Sequence, residues 1–86
     1  MIKERVIQIL KSSGMRLPEL EARTGISRYT WNNLKNPARN REIKAEEIEA
    51  IVALHPQFAL WIISGNTAPE CGQISPDGEQ DESAIP

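Results

Sequence analysis

The sequence predicts an all-α fold, with a compact five-helix domain over residues 1–65 and an extended acidic tail over residues 66–86. Apolar residues recur at helical spacing in five segments, Gly, Pro and Ser punctuate the gaps, and no stretch alternates in the manner of a strand. The chain of 86 residues has room for one small domain, whose limited core favours oligomerisation.

Each element follows from its residues. In the first helix Ile2, Val6, Ile9 and Leu10 share one face, and Gly14 after Ser12 and Ser13 suits the left-handed position past a helix end. A second helix is expected from Leu17 to Thr24, since Pro18 is tolerated only in a first turn and Gly25 stops the segment. Leu17 and Leu20 should face inward there, with Ala22 beside them. The third helix starts at Ser27, whose hydroxyl can accept a free N–H of the first turn, and runs to Lys35. Pro37 disfavours helical geometry at Asn36 and ends it. A fourth helix from about Lys44 to Leu54 places Ala45, Ile48, Ile51, Val52 and His55 on one face and Glu46, Glu47 and Glu49 in water. The fifth runs from Pro56 to about Ser64, closed by Gly65. From Asn66 onward Pro, Gly and acids dominate, so deleting residues 70–86 is expected to leave helix content and melting temperature nearly unchanged.

The net charge of −2 conceals a split. All ten basic residues lie at or before Lys44, against four acids, a net charge of +6. Residues 45–86 hold eight acids and no Lys or Arg. A cationic half that meets phosphates and an anionic half that points away is one reading, and two solvated faces is the other. The longest apolar run, Phe58 to Ile63, is far short of the roughly 20 residues a membrane span needs, and no secretory leader is recognisable, so a cytoplasmic location is expected. Cys71 and His55 are the only residues of their types, which excludes a disulfide framework and leaves a zinc finger or a Cys/His catalytic pair without its residues. No nucleophile elbow, phosphate-cradling Gly-rich loop or calcium-loop spacing is present, the acids from Asp77 to Glu82 included. No enzyme activity, cofactor, metal, membrane or small-molecule ligand is expected.

Function is carried by the second and third helices. A short helix, a Gly-containing turn at Thr24-Gly25-Ile26-Ser27 and another short helix form the helix-turn-helix pattern. Gly25 can adopt φ > 0 and lets the chain reverse, while Leu20, Ile26, Trp31 and Leu34 lock the two helices. The residues from Leu20 to Ser27, followed by Trp31 and Leu34, resemble the phage-repressor-like (Cro/C1, XRE-type) DNA-binding domain over roughly residues 2–65. The likeness is greatest to short prophage-type bacterial regulators with a Trp-rich last helix and a Gln-Ile-Ser-Pro tail, here Gln73 to Pro76. It implies a compact five-helix domain that binds operator DNA. Two positions depart from the family's pattern. Leu17 stands where a phosphate-anchoring Gln is usual, and Glu21 where a small residue is preferred at the helix crossing, so Glu21 must turn outward or the crossing must loosen.

With Trp31 and Leu34 assigned to the core, the third helix presents Arg28, Tyr29, Thr30, Asn32 and Asn33 as candidate base readers. Arg can bridge guanine O6 and N7, Asn can bridge adenine N6 and N7, and an aromatic edge or Thr methyl can touch the thymine methyl. A merely solvated helix would account for Arg28 but would more naturally carry Glu, Lys or Gln than Tyr29 and several Asn. Ser27, Lys35, Asn36, Arg39, Arg41 and Lys44 are candidate phosphate contacts, with a solubilising loop as the plain alternative, and Arg16 and Arg23 are weaker candidates. Phe58, Trp61 and Ile62 can form an apolar patch for a homodimer, unless the tail folds over it. The resulting expectation is a sequence-specific transcriptional regulator, a homodimeric repressor acting by operator occupancy. The alternative is a protein-interaction module, antitoxin-like or polymerase-binding, that uses the apolar helix from Phe58 to Ile63.

Overall fold

A computed structural model describes residues 1–76. It contains α1 (Ile2–Ser12), α2 (Leu17–Thr24), α3 (Arg28–Lys35), α4 (Ala45–Leu54) and α5 (Ala59–Ser64), with 3-10 turns at Pro56–Phe58 and Pro69–Cys71. The fifth helix, expected to begin at Pro56, opens as a 3-10 turn because Phe58 N–H donates to the His55 carbonyl at 2.9 Å and regular α-helix begins only at Ala59. Gly14 and Gly25 both adopt φ near +70°, which allows the chain to leave α1 and α2 abruptly.

One core joins all five helices. Val6, Ile9 and Leu10 of α1, Leu20 of α2, Trp31 and Leu34 of α3, Ile51 of α4, and Phe58 and Ile62 around α5 are buried together. Leu17, Ile26, Ile48 and Val52 pack at its edge, whereas Ala22 is exposed. α1 lies on α5, α2 crosses α3, and α4 supports α2 and the turn before α5. Arg5 fastens the first pair: its Nη1 donates to the Ile62 carbonyl at 3.1 Å, a cation on the carboxyl end of α5. Gly65 makes room for this contact, since a Cβ there would stand 2.9 Å from Arg5 Nη2.

Three further expectations change in this part of the structure. Glu47, read as solvated, is fully buried. Its carboxylate accepts from Arg41 Nη1 at 3.1 Å and Nη2 at 2.6 Å, and from the Lys44 N–H at 2.8 Å. Second, the patch of Phe58, Trp61 and Ile62 is not on the surface: Phe58 and Ile62 are core and Trp61 is half-buried. The helix instead turns Leu60 and Ile63 outward, 37% and 56% exposed. Third, residues 66–76 fold back as a structured turn rather than running on as a tail. Ala68 and Gln73 pair through two backbone hydrogen bonds, and Ile74 N–H donates to the Gln57 carbonyl at 2.9 Å. The Gln73 amide accepts from Leu60 N–H at 2.9 Å and donates to the Pro56 carbonyl at 3.0 Å, covering backbone groups at the start of α5. Ile74 packs on the core. The expectations for Asp77, Glu79, Asp81, Glu82 and Ile85 lie outside the described residues.

Candidate nucleic-acid interface

Thr24 organises the turn between α2 and α3. Its hydroxyl donates to the Leu20 carbonyl at 2.7 Å and accepts from Ile26 N–H at 3.1 Å and Trp31 Nε1–H at 3.2 Å. The buried indole thus has a partner for its only donor. Gly25 then takes φ 72° and ψ 4°, and its N–H donates to the Glu21 carbonyl at 2.9 Å. Ser27 is the N-cap of α3, accepting from Tyr29 N–H at 3.1 Å as the sequence indicated.

Glu21 reaches across the turn instead of filling the crossing. Oε2 accepts the Arg28 N–H at 3.1 Å, while Oε1 accepts Nε–H at 3.0 Å and stands 2.9 Å from Nη2. The Arg28 backbone N–H, and then its guanidinium, holds the Glu21 carboxyl below the ordinary carboxylate range.

The outer face of α3 carries the five residues named as candidate base readers, with differing exposure. Tyr29 is 74% exposed, Arg28 and Asn32 are exposed beside it, and Thr30 and Asn33 are half-buried at the margins. Past the helix, Asn36 Oδ1 accepts from Ala38 N–H at 3.0 Å and orders the loop that carries exposed Arg39. Lys35 is half-buried, and Lys44 is exposed at the N-cap of α4. Arg41 does not join this set. Its guanidinium is committed to Glu47 and to the carbonyls of Thr30 at 3.0 Å and Glu42 at 2.9 Å. It is a strut from α3 to α4 rather than a phosphate contact, because few of its donors remain. Burial pushes the Glu47 carboxyl up, but hydrogen bonds from Arg41 and Lys44 outweigh it and hold the group below its usual range; the Arg41 guanidinium is held correspondingly higher by Glu47.

Two cations not singled out in the sequence adjoin this surface. Lys3 and Lys11 lie on one stripe of α1 with Ile7 between them, and the three residues line an open groove with Leu34, Lys35 and Pro37. The signal was the i, i+4, i+8 spacing, which an assignment of α1 to the core alone passes over. Among the described residues no group of three or more His, Cys, Asp or Glu could hold a metal ion, and no helix is long and apolar enough to cross a membrane.

Five short helices in this order, around one core and with α2 crossing α3 over a left-handed glycine, define a small all-α protein of the phage repressor-like fold. The chain is similar over 98% of its length to Pf6r from the filamentous phage Pf6 of Pseudomonas aeruginosa PA01, at 30% identity and a TM-score of 0.86, and covers 95% of that protein. It belongs to the same family as Pf6r. No protein-family model matches the chain, and no curated protein does.

Proposed function

We propose that this protein is a sequence-specific DNA-binding transcriptional regulator that represses by occupying its operator as a homodimer. The observation that carries the reading is the outer face of α3, where Arg28, Tyr29 and Asn32 stand exposed on a helix fixed from behind by Trp31 and Leu34. These are side chains suited to base edges, and the cations Lys35, Arg39 and Lys44 follow at the end of the helix, in the loop after it and at the N-cap of α4. The likeness to a phage protein supports a role in phage or prophage gene control. The dimer surface in this reading is the outer side of α5, with Leu60 and Ile63 in place of the buried Phe58 and Ile62. Two copies related by a two-fold axis would set their α3 helices about 34 Å apart, one turn of DNA.

Salt-dependent binding tests this reading. The wild type should bind duplex DNA with affinity falling steeply as salt rises. Arg28→Ala should cost about 1–3 kcal/mol on a preferred site and relax preference at one base, whereas Lys35→Ala or Arg39→Ala should weaken all sequences alike and lower the salt slope. Equal loss on preferred and random duplex for Arg28→Ala would remove α3 as the reader. The same exposed Leu60 and Ile63 also favour a second reading, a module that docks on another protein, which salt-independent behaviour towards DNA would support.

A further inference from the structure

The contact between Glu21 and Arg28 bears on how a base would be read. Guanidinium carries five N–H donors. Glu21 Oε1 takes Nε–H and faces Nη2, so the carboxylate occupies the Nε/Nη2 side of the fork. The end-on edge, with one hydrogen of Nη1 and one of Nη2, is not used by Glu21. Among the described residues no other hydrogen bond or ion pair uses the Arg28 side chain, which is 45% exposed. That edge is one that can grip O6 and N7 of guanine together.

Deepening the reading of α3 as the DNA reader, we propose that Glu21 is a positioning residue for specificity: it fixes the Arg28 guanidinium by its Nε/Nη2 side so that the end-on edge can meet a guanine, and it cancels the charge that would otherwise draw Arg28 to any phosphate. Two physical consequences follow from the same geometry. A flexible arginine loses rotamer freedom on binding, and fixing it beforehand removes part of that cost. A neutralised guanidinium keeps its directional donors but attracts the backbone less, so the sequence-independent part of binding falls relative to the sequence-dependent part. The acidic residue at the helix crossing, where the related domains prefer a small one, then has a use: its backbone contact to Arg28 N–H anchors the carboxylate so that it cannot follow the guanidinium away.

The test is selection of bound duplexes from a random DNA pool with the full chain, comparing wild type, Glu21→Ala, Glu21→Gln, Arg28→Ala and the double variant Glu21→Ala/Arg28→Ala, after circular dichroism has verified folding. Glu21→Gln keeps an oxygen for the Arg28 N–H and guards against loss of the turn. Both Glu21 variants should lose about 2- to 10-fold of the preference at the single base that Arg28→Ala erases, the range expected for immobilising one long side chain. They should leave other positions unchanged, bind random duplex more tightly, and show a salt slope steeper by about one charge. In the Arg28→Ala background the Glu21 change should have no further effect on that base. If Glu21→Ala and Glu21→Gln bind random DNA more tightly yet keep the full preference, Glu21 only links the helices and the inference is overturned. A wild type that enriches no sequence overturns the function proposed for α3, and the inference with it.

Discussion

Removing the Arg41 guanidinium should strongly destabilise this domain, and the size of the effect follows from what it leaves behind. Glu47 is fully buried and receives three hydrogen bonds, two of them from Arg41. In Arg41→Ala the carboxylate would retain only the Lys44 N–H, and the Thr30 and Glu42 carbonyls would each lose a donor. Breaking one side of a buried pair typically costs about 3–5 kcal/mol. Small domains have total stabilities of roughly 5–15 kcal/mol, so this loss is a large fraction of the total and should lower the urea midpoint clearly. Urea titration followed by circular dichroism measures the change. Its pH dependence should also reverse. In the wild type Glu47 is held below its ordinary range, so its contribution is present above about pH 4.5 and is lost as pH falls through the folded pKa. In Arg41→Ala burial acts unopposed by the guanidinium and raises the carboxyl's pKa, so stability should fall as pH rises through that value. The paired replacement Arg41→Met/Glu47→Leu should recover part of the loss, because it removes the buried unpaired carboxylate but leaves the Thr30 and Glu42 carbonyls and the Lys44 N–H without these partners. An Arg41→Ala protein with the wild-type urea midpoint and a reduced salt slope for DNA would refute this and return Arg41 to the phosphate-binding set.

Gln73→Ala removes two hydrogen bonds that cover the start of α5 and should cost about 1–2 kcal/mol, a fall in Tm of roughly 4–8 °C for each kcal/mol, read by thermal unfolding. Deleting residues 70–86 should lower Tm further, and an unchanged Tm would show that the turn at 66–76 does not brace the fold. Gly65→Ala, at φ 80° and against Arg5, should destabilise by about 1–2 kcal/mol or more, while Gly65→Asn should be milder at this left-handed position, both measured by urea titration. Ile63→Glu should leave a folded monomer by sedimentation and circular dichroism, whereas Ile62→Glu should unfold the chain; a folded dimeric Ile63→Glu would place the subunit contact elsewhere.

The helix boundaries were legible because local chemistry sets them. Pro18, Gly25, Ser27, Pro37 and Gly65 each act on the backbone within a turn of themselves, and the helices begin and end beside them. Trp31 was legible as core because its spacing with Ile26 and Leu34 needs no tertiary knowledge. Glu47 was not, since an acid in the first turn of a helix ordinarily faces water and its partner lies six residues back in a loop without periodicity. The inward side of α5 was ambiguous for a related reason: nearly every position is apolar, so only the placement of α1 decides that Ile62 points in and Ile63 out. Gln73 sits in Pro- and Gly-rich surroundings that read as disorder, because a side-chain amide pairing with a distant helix leaves no periodic trace. The Glu21–Arg28 contact left a partial signal: an acid where the fold prefers a small residue, and a cation just past the N-cap of the next helix.

The most direct test of the central claim is nuclear magnetic resonance of isotopically labelled protein titrated with a duplex enriched from a random pool. The expected result is that amide and side-chain signals of Arg28, Tyr29 and Asn32 move most, with smaller shifts at Lys35, Arg39 and Lys44, and that the shifts at the last three also appear with random duplex. A titration that leaves α3 unmoved, or whose largest shifts fall on Leu60 and Ile63, would contradict it.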